Sequence, residues 1–443
     1  AAAGNLGREN LNGAQNPAGA AAGGLAGREN SGADFAAECA AYAREGLTYR
    51  TLGAEAAWAL NLPLPRRYEW LVAYIPGAAS QCLAALMGRV FGKNFTGIVW
   101  EWDEQYYFDA QALLLESPKD NVLGLHLEWI SEGVMRKMAA LCDCSVPVFV
   151  ALRDPILVLL TWVNHRGEHY QSHHHIDLRT NLKRAFDDFS FHTASFEEGR
   201  MVRVDGKRPH PRSVSFYLGV MTLHSRLKYF KERGFELIYY DMEELAADRV
   251  LAEVPKLARR LGFGVDEGEL WGLSLRSKNG SDTAVWELPR TLHCFTNEAE
   301  RELGIRIFIS TFDWREGYEG WRDLSAEFLE ENRFNLVFLC EEEKWALLRE
   351  NESLMEKTKR YCRYFERALE RRLEYKRSIL VKPSELVEFL LEEEVGEELF
   401  GLLEAEFAPV LEECGGFAWE FYGEFCEKFK MLKLKNSAID ETF

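Results

Sequence analysis

The sequence lacks the features by which several classes of protein are recognised. Charged residues break its apolar runs before the roughly 18 to 20 residues that a membrane-spanning helix needs. The N-terminal residues have neither the basic nor the apolar region of a signal peptide. Nine cysteines are scattered, and only Cys142 and Cys144 lie close together, without the paired spacing of a zinc site. These absences predict a cytoplasmic protein with reduced thiols and no bound metal.

The sequence also has fewer basic than acidic residues. Lysine and arginine number 53 against 71 acidic residues, which gives a formal net charge of -18. A surface of this sign repels the phosphates of DNA and RNA, so nucleic acid is not expected as a partner. A local group of cations on such a protein can still hold a small anion.

Composition divides the 443 residues into three segments. Residues 1–33 are rich in Ala, Gly and Asn, and Gly7-Arg8-Glu9-Asn10 returns as Gly27-Arg28-Glu29-Asn30, which predicts a disordered low-complexity spacer. Residues 34–340 alternate short apolar runs with helical patterns, so we predict one α/β domain there. Residues 341–443 are predicted to form a charged helical C-terminal region.

The first strand, turn and helix have the composition of an anion-binding loop. Trp70–Ile75 is a predicted strand, Gln81–Val90 is a predicted helix, and a glycine-containing turn, Pro76 to Ser80, joins them. Main-chain N–H groups in such a turn can face an anion, helped by the helix dipole. The Walker pattern and its lysine are missing, and an ordinary turn between a strand and a helix has the same composition. The turn alone therefore does not assign a phosphate site.

Two further strands end in residues with useful chemistry. Asn121–His126 is a short apolar run that ends in a histidine. Val148–Leu152 is followed by Arg153-Asp154-Pro155, where the proline stops the strand and suits the first turn of a helix that carries Thr161. Because the carboxyl ends of parallel strands share one edge of a sheet, we expect the turn, His126 and the Arg153–Thr161 pair to form one pocket.

The middle of the chain offers weaker signals. Val214–Arg233 is a predicted helix, Phe235–Tyr240 a fourth strand, and Glu197–Pro211 a loop. The basic stretch Arg276–Ser281 is predicted to be a loop, which either closes over a phosphate or forms a surface turn. His173-His174-His175 point in different directions when adjacent in sequence, so a solvated loop is favoured over a metal site.

The C-terminal half contains two candidate strands and a basic amphipathic helix. The candidate strands are Leu303–Phe312 and Asn335–Leu339. Lys357–Arg377 places aromatic and aliphatic residues on one face of a helix, with cationic residues elsewhere. This pattern is typical of a solvated surface helix, and also of a helix that lies on a membrane.

Taken in order, the segments between residues 70 and 280 resemble the sulfotransferase superfamily. The turn that follows Tyr74 is similar to the loop that holds the 5′-phosphosulfate of the donor. The strand Leu125-His126-Leu127 is similar to the one that carries the catalytic histidine of many cytosolic sulfotransferases. Arg153-Asp154-Pro155, with Thr161 eight residues later, is similar to the pair of motifs that holds the 3′-phosphate.

This resemblance implies a fold, a donor and a set of site residues. The implied fold is α/β, a parallel-sheet P-loop (sulfotransferase-like) three-layer core with a helical C-terminal extension. The implied donor is 3′-phosphoadenosine 5′-phosphosulfate (PAPS), with His126 as the catalytic base and without a metal ion. The implied donor-binding residues are Gly77, Ala78, Ala79, Ser80, Gln81, Arg153 and Thr161, and the basic stretch Arg276–Ser281 offers Arg276 and Lys278 as further cations.

A second resemblance is to putative sugar transferases encoded in the capsule clusters of campylobacters. It is carried by the lysine-free turn Pro76–Gln81 and by the aromatic tail Phe417–Cys426. Some members of that family are linked to the transfer of O-methyl phosphoramidate to capsular sugars. The resemblance therefore implies a surface polysaccharide as acceptor and a cytidine-activated donor as the alternative to PAPS. The basic helix Lys357–Arg377 leaves open a contact of the C-terminal helices with the inner membrane or with capsule-assembly machinery.

One departure from the sulfotransferase pattern leaves several functions open. Most members of that superfamily place a lysine or arginine in the first loop, yet no basic residue lies between Tyr74 and Gly88 here. Such a cation balances the charge that develops on the leaving oxygen. Either Arg276 or Lys278 takes its place, or the donor is not a phosphosulfate, or the protein is a non-catalytic binding or scaffold protein with the same fold.

Overall fold

The structure is a computed structural model. It describes residues 51–75, 77–78, 80–96, 104–117, 119–127, 130–164, 175–187, 193–197, 200–204, 209, 211–219, 221–246, 248–279, 288, 290–311, 318 and 320–440. The predicted N-terminal spacer, residues 1–33, lies outside them. The chain divides into two units, Ala1–Leu52 and Gly53–Phe443. The elements described below belong to the second unit.

Strands appear in chain order from β1 to β12. They are β1 Tyr68–Tyr74, β2 Asn94–Thr96, β3 Asn121–His126, β4 Val148–Leu152, β5 His175–Asp177, β6 Thr193–Glu197, β7 Arg200–Val204, β8 Leu237–Asp241, β9 Arg290–His293, β10 Arg306–Thr311, β11 Arg322–Asp323 and β12 Leu336–Cys340.

Helices are numbered separately, from α1 to α18. They are α1 Ala54–Ala59, α2 Ser80–Ala85, α3 Gln105–Glu116, α4 Glu132–Leu141, α5 Pro155–Asn164, α6 Leu182–Asp187, α7 Pro211–Leu218, α8 His224–Glu232, α9 Val250–Leu261, α10 Glu267–Asn279, α11 Glu298–Glu302, α12 Ser325–Phe328, α13 Glu342–Glu350, α14 Glu352–Ile379, α15 Pro383–Glu392, α16 Val395–Leu402, α17 Ala408–Glu413 and α18 Glu420–Asp440. Single π-helical turns follow α2 (Leu86–Val90) and α16 (Leu403–Phe407), and a 3₁₀ turn follows β8 (Met242–Leu245).

The first sheet has five parallel strands in the order β2-β3-β1-β4-β8. The sequence prediction of strands at β1, β3, β4 and β8 and of an α/β fold with a parallel sheet is confirmed. β3 and β4 are buried along their whole length, as expected of strands covered on both faces. Tyr74 pairs with His126 on one side and with Ala151 on the other, so the strands end nearly level.

Helices cover both faces of this sheet. On one face, Val72 and Phe149 pack in a core with α2, α9 and α10, represented by Leu83, Leu257 and Leu273. Side chains alternate along a strand, so the neighbours of Val72 point to the opposite face. Crossovers between parallel strands are almost always right-handed, which assigns α4 and α5 to that face, and both helices carry fully buried apolar residues. The result is a three-layer core around the parallel sheet.

A second five-stranded sheet was not anticipated as a separate unit. Its order is β11-β12-β10-β9-β5, with antiparallel pairs except for the parallel pair β5/β9. The two candidate strands Leu303–Phe312 and Asn335–Leu339 became β10 and β12 in this sheet. Its core also contains α14. The boundaries that composition suggested at residues 33 and 340 stay a prediction.

The packing of α14 removes the basis for its expected membrane contact. The apolar face that suggested a surface or membrane helix is buried, including Tyr361, Phe365 and Leu369, and it faces the second sheet. Tyr364, at 39% exposed, is the exception among the residues of that face. Within the described ranges, no helix has both the length and the apolar character to cross a bilayer.

Three local predictions were wrong. The predicted single helix Val214–Arg233 is two helices, α7 and α8, separated by the segment 219–223. The predicted loop Glu197–Pro211 contains β7, which pairs with β6 in an antiparallel hairpin. The predicted basic loop Arg276–Ser281 is helical as far as Asn279, because the α10 helix continues through it. Residues His173 and His174 lie outside the described residues.

Candidate functional site

The order of the first sheet marks one place where a ligand is expected to bind. From β1 the chain builds β2 and β3 on one side, and then crosses to the other side to build β4 and β8. In open α/β sheets, ligands bind outside the carboxyl ends of the strands where the order reverses in this way. Here that point lies between β1, which leads to Gly77, and β4, which leads to Arg153.

The Arg153 side chain connects the elements around this point. Its Nη1 donates to the carbonyl oxygen of Gly77 and to Oγ1 of Thr161, at 3.0 Å in each case. Its Nε donates to Oε1 of Glu243 at 2.5 Å. Thr161 in turn donates its hydroxyl proton to the carbonyl oxygen of Leu157 at 2.9 Å. A cation and a hydroxyl from one short segment therefore meet beside the first turn, as the sequence predicted.

The turn after β1 is shaped by Gly77. Its φ is +80°, and an added Cβ would lie 3.0 Å from the carbonyl oxygen of Val158, so the turn sits directly on α5. The N–H of Ala78 donates to the carbonyl oxygen of Ile75 at 3.1 Å, which closes the turn on itself. The turn thus offers a carbonyl oxygen to Arg153 and uses the N–H of Ala78 internally, and an anion held by its other N–H groups stays a prediction.

Other predicted members of the turn are described in part or not at all. Pro76 and Ala79 lie outside the described residues, and so do the side chains of Ser80 and Gln81, whose main chain begins α2. The side chains of Arg276 and Lys278 are also outside them, although their main chain belongs to α10. Their contact with the site stays a prediction.

His126 lies at the same edge of the sheet. It ends β3 and is only 7% exposed, with its ring centroid 5.0 Å from that of Tyr74. Burial lowers the pKa of His126 from 6.5 to about 4, so the imidazole is neutral at pH 7. His126 and Ala151 flank Tyr74 in register, which puts their Cα atoms about 10 Å apart across two strand spacings. His126 therefore lies at the same edge of the sheet as the Arg153 group, with the strand of Tyr74 between them.

Glu243 is a member of the site that the sequence did not predict. It lies in the 3₁₀ turn after β8, and its N–H donates to Oδ1 of Asp241 at 3.0 Å. In the sequence, the acids that follow β8 are interpreted as residues of the first turn of a helix, where negative charge interacts favourably with the helix dipole. This interpretation gives no reason to assign Glu243 to the site. A signal was present, because a carboxylate that directly follows a parallel strand lies at the ligand-binding edge.

Two carboxylates at this edge, the buried Asp154 and the half-buried Asp241, hold the start of the C-terminal helix α18 and the tryptophan before it. Asp154 is 2% exposed, and its Oδ2 accepts from the N–H groups of Phe421 at 3.0 Å and Tyr422 at 3.1 Å. Oδ1 of Asp154 accepts from the N–H of Ile156 at 2.9 Å. Asp241 accepts from Nε1 of Trp419 at 3.0 Å. Asp154, next to Arg153, is thus fixed by the last helix, and Asp241, two residues before Glu243, is fixed by the tryptophan that precedes this helix.

Burial and these contacts act in opposite directions on the pKa of each carboxylate. Burial raises the pKa of Asp154, and the N–H groups of Tyr422, Ile156 and Phe421 oppose that rise because they favour the charged carboxylate. Burial likewise raises the pKa of Asp241, against the hydrogen bonds from Glu243 and Trp419. The main-chain N–H donors aimed at Asp154 match an ionised carboxylate.

A cleft of about 710 Å³ lies elsewhere, beyond the C-terminal end of α5. Asn164 at that end donates to the carbonyl oxygen of Val381 and accepts from its N–H, both at 2.9 Å. Acids and bases both line the cleft, among them Lys382 and Glu385. Arg153 precedes the opposite end of the ten-residue helix, so this cleft is not part of the site.

No cluster suited to a metal ion occurs in the part of the chain that the structure describes. Groups of three or more histidine, cysteine, aspartate or glutamate residues in a suitable arrangement are absent there. One pair of histidines does meet, with Nδ1 of His175 3.1 Å from Nε2 of His293.

Comparisons with known proteins give few relatives. Residues 239–429 match the model of a family described as "Protein of unknown function (DUF2972)". No curated protein matches the chain significantly. Among solved structures, mouse sulfotransferase SULT7A1 complexed with PAP is similar at 13% sequence identity, covering 52% of this chain and 72% of that chain with a TM-score of 0.26. None of these matches supports the resemblance to capsule-cluster sugar transferases.

Proposed function

We propose that this protein is a sulfotransferase-like group transferase, which binds a nucleotide donor at the carboxyl edge of its first sheet. The proposed reaction moves the sulfuryl group of PAPS to a hydroxyl of a sugar, such as one in a capsular or other surface polysaccharide, in the cytoplasm. The observation that carries the proposal is the position of Arg153 Nη1, 3.0 Å from both Thr161 Oγ1 and the Gly77 carbonyl oxygen.

Arg153 and Thr161 have the chemistry that a phosphate requires. A guanidinium presents five N–H donors in a planar fork, and a hydroxyl adds one more donor. Both lie at the point where the strand order reverses, and α5 begins between them. A 3′-phosphate held here would accept from Arg153 and from Thr161, whose hydroxyl would turn away from Leu157.

The chemistry proposed for the acceptor uses His126. The acceptor hydroxyl oxygen attacks the sulfur, the bond from sulfur to the oxygen of the 5′-phosphate breaks, and the nucleotide leaves as 3′-phosphoadenosine 5′-phosphate (PAP). His126 takes the proton from the attacking hydroxyl. Charge develops on the leaving oxygen, and Arg276 or Lys278 would balance it.

The low pKa of His126 fits this role only when the donor is bound. An imidazole with a pKa of about 4 is neutral at pH 7 and able to accept a proton, but it is a weak base. A nearby phosphate favours the protonated imidazole and raises its pKa. The bound donor would therefore strengthen the base that the reaction needs.

A binding protein without catalytic activity is the second candidate, and Glu243 favours it. The carboxylate of Glu243 pairs with Arg153, and the first turn contributes no cation between Tyr74 and Gly88. A third candidate is an O-methyl phosphoramidate transferase with a cytidine-activated donor. Such a donor lacks the 3′-phosphate for which Arg153 and Thr161 are proposed.

A nucleotide screen separates these candidates. The purified protein is heated with PAP, with adenosine 5′-phosphate and with cytidine 5′-diphosphate, each at a series of concentrations. The proposal predicts stabilisation by PAP that exceeds that by the other two, since a ligand at 100 times its dissociation constant adds about 2.7 kcal/mol. A preference for the cytidine nucleotide favours the phosphoramidate reaction, and no response to any nucleotide contradicts the proposal.

His126→Ala separates catalysis from binding. We expect the variant to lose turnover with PAPS and a sugar acceptor while its affinity for PAP stays close to that of the wild type. Full turnover by this variant refutes the role of His126 as the base. A protein that binds PAP but transfers no sulfuryl group to a panel of sugars would be the binding protein.

A further inference from the structure

Glu243 occupies one edge of the Arg153 guanidinium. Its Oε1 accepts from Nε of Arg153 at 2.5 Å, although the two residues are 90 positions apart in sequence. The main chain holds Glu243 in place, because its N–H donates to Oδ1 of Asp241. The contact therefore follows from how β8 ends, and it does not depend on a flexible loop.

A phosphate that binds Arg153 must share this guanidinium with protein acceptors. Nη1 already donates to the Gly77 carbonyl oxygen and to Thr161, and Nε donates to Glu243. Phosphates commonly bind arginine through two parallel N–H···O bonds, which occupy one whole edge of the fork. A phosphate on the Nε edge would meet the carboxylate of Glu243, and two anions cannot share that edge without a cost.

We propose that Glu243 takes the place of the donor phosphate in the empty protein and is displaced when the donor binds. The carboxylate would keep Arg153 oriented across the gap between β1 and β4 until a phosphate replaces it. This inference rests on the proposed function, since it assigns the Arg153 group to a nucleotide phosphate. It adds Glu243 as a residue that sets donor affinity and selects for the phosphate.

The exposure of the pair makes such an exchange feasible. The side chain of Arg153 is 25% exposed and that of Glu243 is 33% exposed, so water reaches both. Ion pairs with this access to solvent contribute little to stability, and a carboxylate released from one is rehydrated. A phosphate carries more negative charge than a carboxylate and offers more acceptor oxygens, so it can compete for the same N–H groups.

Selectivity follows from the competition. A nucleotide with a phosphate at the Arg153 position can displace Glu243, whereas one that lacks this phosphate leaves the ion pair intact. Removal of the Glu243 charge should therefore increase the affinity for PAP and have little effect on adenosine 5′-phosphate. A residue that only held Arg153 in position would have the opposite effect, because its loss would weaken the binding of PAP.

The test compares Glu243→Gln with Glu244→Gln by titration calorimetry. Both substitutions remove one negative charge from the same turn, and Glu244 is exposed. We expect Glu243→Gln to bind PAP roughly tenfold more tightly, because the phosphate no longer has to displace a carboxylate from an ion pair of modest strength. The affinity of Glu244→Gln for PAP should stay within about twofold of that of wild type. The gain should disappear in the double variant Glu243→Gln/Arg153→Ala.

The outcomes separate this inference from the function on which it rests. If wild type binds PAP and Glu243→Gln binds it equally or more weakly, Glu243 does not compete with phosphate and the inference is overturned. An equal gain in Glu244→Gln also overturns it, because the effect would then be one of net charge. If neither wild type nor any variant binds PAP, the proposed function itself is contradicted, and the inference is overturned with it. Thermal unfolding without ligand checks that each variant is folded.

Discussion

The carboxylate of Asp154 accepts a hydrogen bond from the main-chain N–H of Tyr422, 268 residues later in the chain. Asp154 directly follows Arg153, and Tyr422 lies in the first turn of α18. The start of the last helix is thereby fixed to the edge of the first sheet at which the donor is proposed to bind. Trp419, the residue before α18, donates its indole N–H to Asp241, so the ends of two adjacent strands, β4 and β8, both contact the start of this helix or the residue before it.

Replacement of the Asp154 carboxylate by an amide should destabilise the protein. Asp154→Asn keeps the size of the side chain but turns one acceptor into a donor. Since both oxygens accept from main-chain N–H groups, either Ile156 or the pair Phe421 and Tyr422 would lose its acceptor. We expect the free energy of unfolding in urea to fall by about 1.5 to 3 kcal/mol, the range for hydrogen bonds to a charged group.

Asp248→Asn is the matched control for this substitution. Asp248 is exposed in the segment before α9, and we expect its replacement to change the free energy of unfolding by less than about 0.5 kcal/mol. Equal effects of the two substitutions would show that the contacts of Asp154 with α18 do not stabilise the fold.

The buried His126 should make the protein less stable in mild acid. Its pKa is lowered from 6.5 to about 4 in the folded protein, so between these values the unfolded chain binds a proton that the folded chain does not. Stability contributed by the neutral imidazole is therefore lost as the pH falls from 6.5 to 4. Each pKa unit corresponds to 1.36 kcal/mol, so the total is about 3 kcal/mol.

The measurement is the free energy of unfolding against pH for wild type and His126→Leu. Other titrating groups contribute alike to both proteins and cancel in the difference. The wild-type curve should fall more steeply than that of the variant between pH 6.5 and 4. Parallel curves would mean that the pKa of His126 is not lowered by burial.

The turn between β1 and α2 should not tolerate a side chain at Gly77. Gly77→Ala forces an alanine into φ +80° and places its Cβ 3.0 Å from the carbonyl oxygen of Val158. We expect a loss of about 2 kcal/mol in the free energy of unfolding, from the strained backbone and the close contact together. The affinity for PAP should also fall, because the Gly77 carbonyl oxygen orients Arg153.

Gly133→Ala provides the comparison for Gly77→Ala. Gly133 lies in α4, and nothing lies within 4 Å of an added Cβ. Alanine favours a helix over glycine by about 0.8 to 1.0 kcal/mol, so this variant should be as stable as wild type or more so. A Gly77→Ala protein of wild-type stability would mean that the turn relaxes away from α5.

Four of the five strands of the first sheet were predictable because their signals are local, and the three-residue β2 was not predicted. β3 and β4 are continuous apolar runs, and Arg153, Pro155 and Thr161 lie within nine residues of one another, so short spacings carried both the fold and the central pair of the site. The parallel arrangement then followed from the alternation of strands and helices.

The second sheet was anticipated only at β10 and β12, and the sequence did not show that these strands pair with each other or with β9 and β11. β5 has three residues and pairs with β9, more than a hundred positions later. The apolar face of α14 was recognised correctly, but the sequence could not tell that a sheet covers it. The contact between Arg153 and Glu243 was also unpredictable from sequence, because the two residues are 90 positions apart.

The measurement that tests the central claim most directly is the affinity difference between PAP and adenosine 5′-phosphate, compared among wild type, Arg153→Ala and Arg66→Ala. Arg66 is an exposed arginine bonded to Asp143 in the segment before β4, at the opposite edge of the sheet, so its loss removes the same charge away from the site. We predict that wild type and Arg66→Ala prefer PAP and that Arg153→Ala loses this preference. An unchanged preference in Arg153→Ala would contradict the assignment of this edge to the 3′-phosphate.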